Sequence, residues 1–460
     1  TGMKKNISPK KNSYREEIIN GPITLTLMKL AWPIMITNGM QVLYNIADTF
    51  WVGKISAQAV AAISISFPVV FLFISIGAGI NISGTTLVAQ YTGAGETENA
   101  DKVATQLLVF IFSLSVILSL TGYLFNKNIL NLIGAPEDII GKATSYLNIF
   151  FIGLPFMFLF FVFSALLRGV GDTKTPMKMM IISVLINIVA DPFIIFGWSI
   201  FPELGVKGAA LATISSRAIA GLFGMYLLFS GKKGIHIKKK YLKPDLNMYK
   251  KILRIGIPSA GEKSMAAISI VLFMGIISRF GTMAVAAYGI GHRVMSVVRM
   301  PVRGFGRGTT TMVGQNLGAD KIDRAEKCTW IATGITFLAL LLIWAVMFIF
   351  PEQIIAIFND NPEVIKIGSS FLTIAGFSFS FIGIRLVIGS AFRGAGNTLI
   401  AMVLAIIALI ILRIPLSYFL SVNLNWGING VWWGMLISNA IAALLGIYWF
   451  QKGTWKEKEV

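Results

Sequence analysis

Polar side chains mark one face of a helix in two stretches of an otherwise apolar chain. In the first stretch, where Tyr44 lies beside them, they recur at positions i, i+3, i+7 and i+10: Asn38, Gln41, Asn45 and Asp48. In the second stretch Asn187 and Asp191 are four residues apart, and Pro192 follows. Residues at these spacings lie on one side of an α-helix. The sequence therefore predicts two polar helix faces that each carry one carboxylate.

Two carboxylates with amide groups beside them suit the binding of a small cation. A carboxyl group that is removed from water among helices takes up a proton more readily. Carboxylate and amide oxygens could instead hold Na⁺, because hard cations prefer oxygen ligands. We predict a proton or sodium site at Asp48 and Asp191, and the residues do not choose between the two ions. The alternative is a structural role, with both acids hydrogen-bonded inside a helix bundle.

A second set of charged residues lies late in the chain. Arg299, Arg303 and Arg307 are spaced at i, i+4 and i+8 and form a stripe on one helix face. Further basic residues lie close by in sequence or in neighbouring apolar segments: Lys263, His292, Arg293, Arg385 and Arg413. Each arginine in hydrocarbon would cost roughly 2.5–3.5 kcal/mol or more. The stripe must therefore face water, an acid or a bound anion.

Two interpretations of the arginine stripe remain open. In the first, Arg307 reaches the cytoplasmic surface and the other two line a wet cleft that holds no ligand. In the second, the three arginines form a basic wall for an anionic or zwitterionic substrate, including a lipid headgroup. The sequence alone favours neither interpretation.

The elements that position these residues are membrane-spanning helices. The mean hydropathy is +0.74, 55% of residues are hydrophobic and 13% are charged, which excludes a water-soluble domain. Apolar runs of about 20 residues or more can cross a bilayer. They occur near 25–53, 59–90, 104–125, 144–168, 177–199, 207–230, 251–278, 284–315, 330–350, 367–392, 398–421 and 428–451. We therefore predict an all-α integral membrane protein with twelve transmembrane helices.

The chain also repeats itself. The segment Thr85-Thr-Leu-Val-Ala-Gln90 returns 225 residues later as Thr310-Thr-Met-Val-Gly-Gln315, and Arg168-Gly-Val-Gly171 returns at the same offset as Arg393-Gly-Ala-Gly396. Such repeats are typical of secondary transporters built from two homologous halves. The second half has apolar residues where the first has its acids, since Asp48 corresponds to Phe273 and Asp191 to Ile414. We therefore place the ion site in the first half alone.

The distribution of positive charge predicts the topology. The net charge is +19, and Lys and Arg concentrate before the first span and in the link between the halves. Positive residues favour the cytoplasmic side, and these lysines are better explained by anionic headgroups than by nucleic acid. We predict a cytoplasmic segment at 1–24, a six-helix lobe at 25–230, a basic cytoplasmic linker at 231–250, a second six-helix lobe at 251–451 and a cytoplasmic tail at 452–460. The protein would thus lie in the cell membrane with both termini in the cytoplasm.

The sequence offers little support for a zinc site or a nucleotide-binding site. Cys328 is the single cysteine, and the two histidines, His236 and His292, are too far apart for a zinc site. No phosphate-binding loop of the Walker type occurs in the sequence. We therefore expect a transporter rather than an enzyme, without a metal or cofactor, and driven by a gradient of H⁺ or Na⁺.

Four motifs occur along most of the chain: Tyr44-Asn-Ile-Ala-Asp48-Thr-Phe-Trp-Val-Gly53, Leu167-Arg-Gly-Val-Gly-Asp172-Thr-Lys-Thr-Pro176, Asn187-Ile-Val-Ala-Asp191-Pro192 and Gly205-Val-Lys-Gly-Ala-Ala210. Together they resemble the multidrug and toxic compound extrusion (MATE) family, and the acids resemble its DinF-like branch. The resemblance implies two six-helix bundles in a V, related by a pseudo-two-fold axis. It also implies export of small amphipathic, commonly cationic, compounds against inward flow of H⁺ or Na⁺. We expect the transporter to be a monomer.

The resemblance also implies roles for particular residues. Asp48, Asn187 and Asp191 would couple the ion to transport, and Gln41, Tyr44 and Asn45 would line the substrate cavity. The branch with acids in the seventh and tenth spans fits less well, because Glu262 lies only four residues after Pro258 and the tenth span carries Arg385. The alternative function is a flippase or exporter of an anionic or lipid-linked substrate that uses the basic second lobe. A channel is the least favoured class, since a channel gains nothing from acids confined to one repeat.

Overall fold

The computed structural model describes residues 9–456. Residues 1–8 and 457–460, which belong to the predicted terminal segments, lie outside the described residues. The first half forms α1 (Pro9–Asn20), α2 (Ile23–Gly53), α3 (Ala57–Gly93), α4 (Thr97–Leu132), α5 (Glu137–Val170), α6 (Lys174–Phe196) and α7 (Val206–Phe229). The second half forms α8 (Leu246–Ile277), α9 (Thr282–Val298), α10 (Met300–Gly318), α11 (Ile322–Ile349), α12 (Pro351–Ala356), α13 (Pro362–Ala395), α14 (Thr398–Asn423) and α15 (Gly427–Gln451). The all-helical prediction is confirmed for the described residues.

Ten helices in the described part of the chain are long and apolar enough to cross a membrane. They coincide with ten of the twelve predicted spans. The other two predicted spans are 25–53, which is α2, and 284–315, which is divided between α9 and α10. These two segments carry the polar face and the arginine stripe, respectively. The total of twelve spans stays a prediction.

The eighth predicted span is interrupted at Arg299, where α9 ends and α10 begins. Pro301 follows two residues later, near the start of α10. A proline ring clashes with the carbonyl group four residues earlier and donates no backbone hydrogen bond, so it is favoured at the start of a helix and disfavoured inside one. The proline therefore accounts for the break, and Arg299 lies at it.

The described residues form two compact units. The first comprises Ile36–Gly256 together with the described residues up to Glu16, and the second comprises Glu17–Met35 together with the chain from Ile257 onward. The chain passes from one unit to the other within α1, within α2 and within α8. In α2 and α8 the passage lies two or fewer residues from a proline, Pro33 and Pro258, respectively.

The two halves repeat in structure as well as in sequence. Thr85 Oγ1 donates a hydrogen bond to the Ala165 carbonyl at 3.0 Å, and Thr310 Oγ1 donates one to the Ser390 carbonyl at 3.0 Å. The helices that contain the acceptors both end in a glycine with positive φ, Gly171 at 102° and another 225 residues later at 90°. Glycine adopts this left-handed conformation without the strain that a side chain would add. The helix pairs α3–α5 and α10–α13 are thus built in the same way.

The link between the halves is fixed to the first unit. Asp101 Oδ1 and Thr105 Oγ1 on α4 accept hydrogen bonds from the backbone N–H groups of His236 and Lys238 at 3.0 and 3.2 Å. Gln106 accepts the Asp245 N–H at 3.0 Å and donates to two carbonyl groups of the link. The link is therefore an ordered part of this unit.

Candidate functional site

The predicted acids of α6 form a buried pair. Asn187 Nδ2 donates a hydrogen bond to Asp191 Oδ1 at 3.0 Å, because residues four apart lie one above the other on a helix. Both side chains are 0% exposed. Asp191 Oδ2 and Asn187 Oδ1 are buried and have no hydrogen-bond partner among the described residues. Two acceptor oxygens therefore remain unsatisfied inside the unit, which is costly unless a ligand meets them.

Asp48 on α2 contributes to the same region. The charges of Asp48 and Asp191 interact electrostatically, and Tyr146 on α5 interacts with both. Asp48 is half-buried, and its Oδ1 is another buried oxygen without a partner in the described part of the chain. The structure therefore brings these two acids together in the first unit, and the ion site itself stays a prediction. Two carboxylates and an amide oxygen could accept a shared proton or provide oxygen ligands to Na⁺.

The predicted cavity residues lie beside a cation that the sequence analysis missed. Arg217 on α7 is buried, and its Nη2 donates to Gln41 Oε1 at 2.6 Å. Its guanidinium carbon lies 5.0 Å from the centre of the Tyr44 ring, a cation–π geometry. Gln41 Nε2 in turn donates to Asn45 Oδ1 at 3.2 Å. The three predicted cavity residues and Arg217 therefore form one connected group.

One sequence signal could have found Arg217. It is a lone cation inside an otherwise apolar span, which by itself indicates function. It also lacks a basic counterpart, because matching Gly208 to Gly430 in the repeat puts Asn439 opposite it.

The three arginines of the stripe differ in how far they are exposed. Arg299 is half-buried, whereas Arg303 and Arg307 are exposed. Arg303 interacts electrostatically with both of the others, so the three charges lie near one another. Arg299 differs from this exposed pair, because its Nε is buried and has no hydrogen-bond partner among the described residues. That the stripe faces water, an acid or a bound anion stays a prediction.

Two further arginines lie close to Arg299. Arg385 on α13 is 7% exposed and Arg413 on α14 is 9% exposed, and the charges of all three interact. Arg413 Nη2 donates to Asn439 Oδ1 at 3.2 Å. The Nε atoms of Arg385 and Arg413 are buried without a partner in the described residues. The sequence identifies these two only as basic residues of neighbouring spans, because spacing along one helix cannot reveal a cluster that three helices assemble.

An acid is present in this unit, but another arginine binds it. Arg393 Nη1 donates to both carboxylate oxygens of Glu262 on α8, at 3.0 and 2.8 Å. Arg393 Nη2 also donates to Ser390 Oγ at 2.8 Å. Glu262 interacts with Arg385 only through its charge. Arg299, Arg385 and Arg413 therefore form a basic cluster, and apolar residues, Phe273 and Ile414, stand at the repeat positions of the two acids of the first unit.

Comparisons with known proteins give the chain its family. The MatE family model matches residues 33–193 and 258–419, which are the two repeats. The chain is 32% identical over 432 residues to the probable multidrug resistance protein YoeA of Bacillus subtilis, covering 93% of each chain. It is 25% identical over 438 residues to an FAD transporter of Shewanella oneidensis, covering 95% of this chain and 96% of that protein.

A solved structure extends the likeness to the fold. It is that of a transporter of the MOP superfamily from Pyrococcus furiosus, in which the reverse polarity of the binding pocket suggests a different function. The TM-score is 0.87 at 26% identity, and the match covers 96% of this chain and 98% of that one. The predicted family is confirmed, and so is the prediction of a membrane protein. The chain belongs to the MatE family of multi-pass membrane transporters for small molecules.

Proposed function

We propose that this protein is a secondary active exporter that couples efflux of small amphipathic compounds to inward flow of H⁺ or Na⁺. The observation that carries the proposal is the pair of interacting carboxylates, Asp48 and Asp191, each with a buried oxygen that lacks a partner in the described part of the chain. An ion bound there would satisfy both oxygens. Asn187, which is hydrogen-bonded to Asp191, would complete the ion site.

Coupling requires that the ion and the substrate favour opposite states of the transporter. Asp48 lies on the same helix as Gln41, Tyr44 and Asn45, the predicted cavity residues. Binding of an ion at Asp48 would repack that helix and weaken the hold on a substrate beside it. The exporter would then alternate between states open to either side of the membrane.

The substrate is either a cation or an anion. The resemblance to multidrug exporters favours a cationic substrate, and the relative named for multidrug resistance supports export of drugs. An anionic compound is favoured by the buried arginines of the second unit. The relative that transports FAD and the solved transporter with a binding pocket of reverse polarity support this second candidate.

The test is transport in proteoliposomes, driven by a pH gradient without sodium and separately by a sodium gradient. Cationic ethidium and anionic carboxyfluorescein would be followed by fluorescence, so that the result does not depend on substrate charge. The variant is Asp48→Asn, and the matched control is Asp138→Asn, which removes an exposed acid near the start of α5.

We expect at least one dye to follow one of the gradients in wild type and in the control, and to stop in Asp48→Asn. The gradient that works identifies the coupling ion. Failure of both gradients with both dyes, or unchanged transport in Asp48→Asn, would overturn the proposal.

A further inference from the structure

We propose that Arg299, Arg385 and Arg413 form a binding site for the acid group of the transported compound, a phosphate, sulfonate or carboxylate. The inference deepens the proposed export function and rests on it. It names the substrate class as an amphipathic anion and locates its charged end in the second unit.

The three arginines contain donors without hydrogen-bond partners. The Nε atoms of all three side chains are buried and have no partner among the described residues. Arg385 and Arg413 are more than nine-tenths buried. A buried donor without an acceptor is rare and costly in proteins. Three such donors in one cluster indicate that the acceptor is a molecule other than this chain.

The cluster also brings three positive charges together. The three guanidinium groups interact with one another, so each raises the cost of burying the others. Tyr288, which interacts with Arg299 and Arg413, is uncharged at neutral pH. Asn439 offers Arg413 one neutral acceptor. An anion would offset the repulsion and supply acceptors at the same time.

Arg393 provides an internal comparison. It lies eight residues after Arg385 on α13, and Glu262 and Ser390 meet its guanidinium group. An arginine with a structural role in this unit therefore has a carboxylate and a hydroxyl group as hydrogen-bond partners. The difference between Arg393 and the cluster is the presence of a carboxylate, which is the kind of group that the proposed ligand would bring.

The local backbone also sets these arginines apart. Arg299 lies at the break between α9 and α10, and Arg413 directly follows a π-helical turn at Ile407–Leu412. Short π-helical turns and helix breaks are frequent at functional sites. Planar guanidinium groups bind phosphate and carboxylate through paired hydrogen bonds, which makes arginine the suitable residue for such a ligand.

An independent observation in the first unit disfavours a cation. A cationic compound would use the face of Tyr44, since aromatic faces attract cations. Arg217 already holds its guanidinium group 5.0 Å from that ring. A cation of the chain itself therefore already occupies the face of this ring.

The test compares two probes that differ by one acid group, riboflavin and riboflavin 5′-phosphate. Their binding to the purified full chain would be followed by fluorescence anisotropy at constant ionic strength and without any gradient. The variants are Arg385→Gln and Arg413→Gln. The control is Arg279→Gln, because Arg279 is an exposed arginine of the same unit that contacts Tyr418.

We expect the phosphate to tighten binding by roughly tenfold or more, equivalent to about 1.4 kcal/mol. Arg385→Gln and Arg413→Gln should each remove this advantage, while Arg279→Gln keeps it. Both variants should fold, since neutralising an unpaired buried charge is neutral or stabilising, and thermal unfolding would check this. Equal binding of the two probes, no binding of either at millimolar concentration, or an advantage that survives in folded Arg385→Gln would overturn the proposal.

Two further comparisons identify the source of the anion and distinguish the arginine-site proposal from the proposed export function. Nanodiscs with phosphatidylglycerol, compared with phosphatidylcholine alone, should weaken probe binding if a lipid headgroup occupies the site, and leave it unchanged if the ligand is a soluble anion. The binding measurement needs no gradient, so its outcome is independent of the transport measurement. Phosphate-dependent binding without gradient-driven transport would contradict the export function and support the arginine site. Gradient-driven transport, with probe binding that does not depend on the arginines, would support the export function and contradict the arginine site.

Discussion

Arg217 donates a hydrogen bond from Nη2 to Oε1 of Gln41 at 2.6 Å and lies over the ring of Tyr44. The amide is therefore one of the few acceptors that reach this buried cation, whose other contact at hydrogen-bond distance is Met180 Sδ at 2.8 Å. A weak sulfur acceptor and an amide oxygen balance the guanidinium charge only in part.

The two partners should respond unequally to mutation. Gln41→Leu removes the amide oxygen that accepts a hydrogen bond from the buried Arg217, and a hydrogen bond to a charged group contributes about 1.5–3 kcal/mol. Arg217→Met removes the buried charge and fills a similar volume, which is commonly neutral or stabilising. We expect Gln41→Leu to lower the Tm in detergent and Arg217→Met to keep or raise it. Equal losses in both variants would contradict this account.

Asn187→Leu should distinguish H⁺ from Na⁺ at the ion site. A donor to a carboxylate favours the ionised form, so removing the Asn187 donor should let a proton bind Asp191 at a lower proton concentration. For Na⁺ the same change removes an amide oxygen ligand and should raise the half-activating sodium concentration. Ser183→Ala, one turn earlier on the same face, is the control. Transport titrated against each ion gives the two values, and no change in either would exclude Asn187 from the site.

Close packing of α14 and α15 depends on a glycine. A Cβ on Gly434 would lie 2.5 Å from the backbone N and Cα of Ser417, so Gly434→Ala requires the two helices to separate. Overpacking of this kind costs about 1–3 kcal/mol. A methyl group added at Gly334 on α11 would have no atom within 4 Å, and Gly334→Ala should therefore be neutral or favourable, since glycine weakens helices by about 0.5–1 kcal/mol. Measured against wild type, the Tm should fall in Gly434→Ala and stay the same or rise in Gly334→Ala.

Asp245 caps the start of α8. Its Oδ1 accepts the N–H groups of Asn247 and Met248 at 2.9 and 3.2 Å, and its Oδ2 pairs with Lys102 at 2.6 Å. The hydrogen bond from Lys102, followed by that from the Met248 N–H, holds the pKa of Asp245 below its ordinary value. The stabilisation is therefore present above the unfolded-state pKa of about 3.9 and is lost as the pH falls through the lower folded-state pKa.

Substitution of Asp245 should separate the cap from the ion pair. At neutral pH Asp245→Ala loses both and should cost about 1 kcal/mol. Asp245→Asn keeps the cap and loses a partly exposed ion pair, which contributes about 0–1 kcal/mol. The difference in Tm between wild type and Asp245→Ala should shrink in acid. A difference that is independent of pH would show that the carboxylate charge has no role.

The sequence predicted the parts of the molecule that repeat or that share one helix. The Thr85 and Thr310 motifs identified two halves, and the structure gives both threonines the same hydrogen bond. The spacing of Asn187 and Asp191 predicted their contact. Sites that several helices assemble could not be predicted in this way. Arg217 meets Gln41 across 176 residues and Glu262 meets Arg393 across 131, and no periodicity links positions on different helices.

The hydrogen bonds that fix the link to α4 bear on the order in which the chain is made. All of them join residues before Gly256, so they can form while the second half is still on the ribosome, where domains fold as units from the N-terminus. Glu17–Met35 differs, because Leu27 and Leu30 pack with Phe305, Met312 and Val387. This early segment must wait through most of synthesis for its partners, and the first half made alone would leave it uncovered.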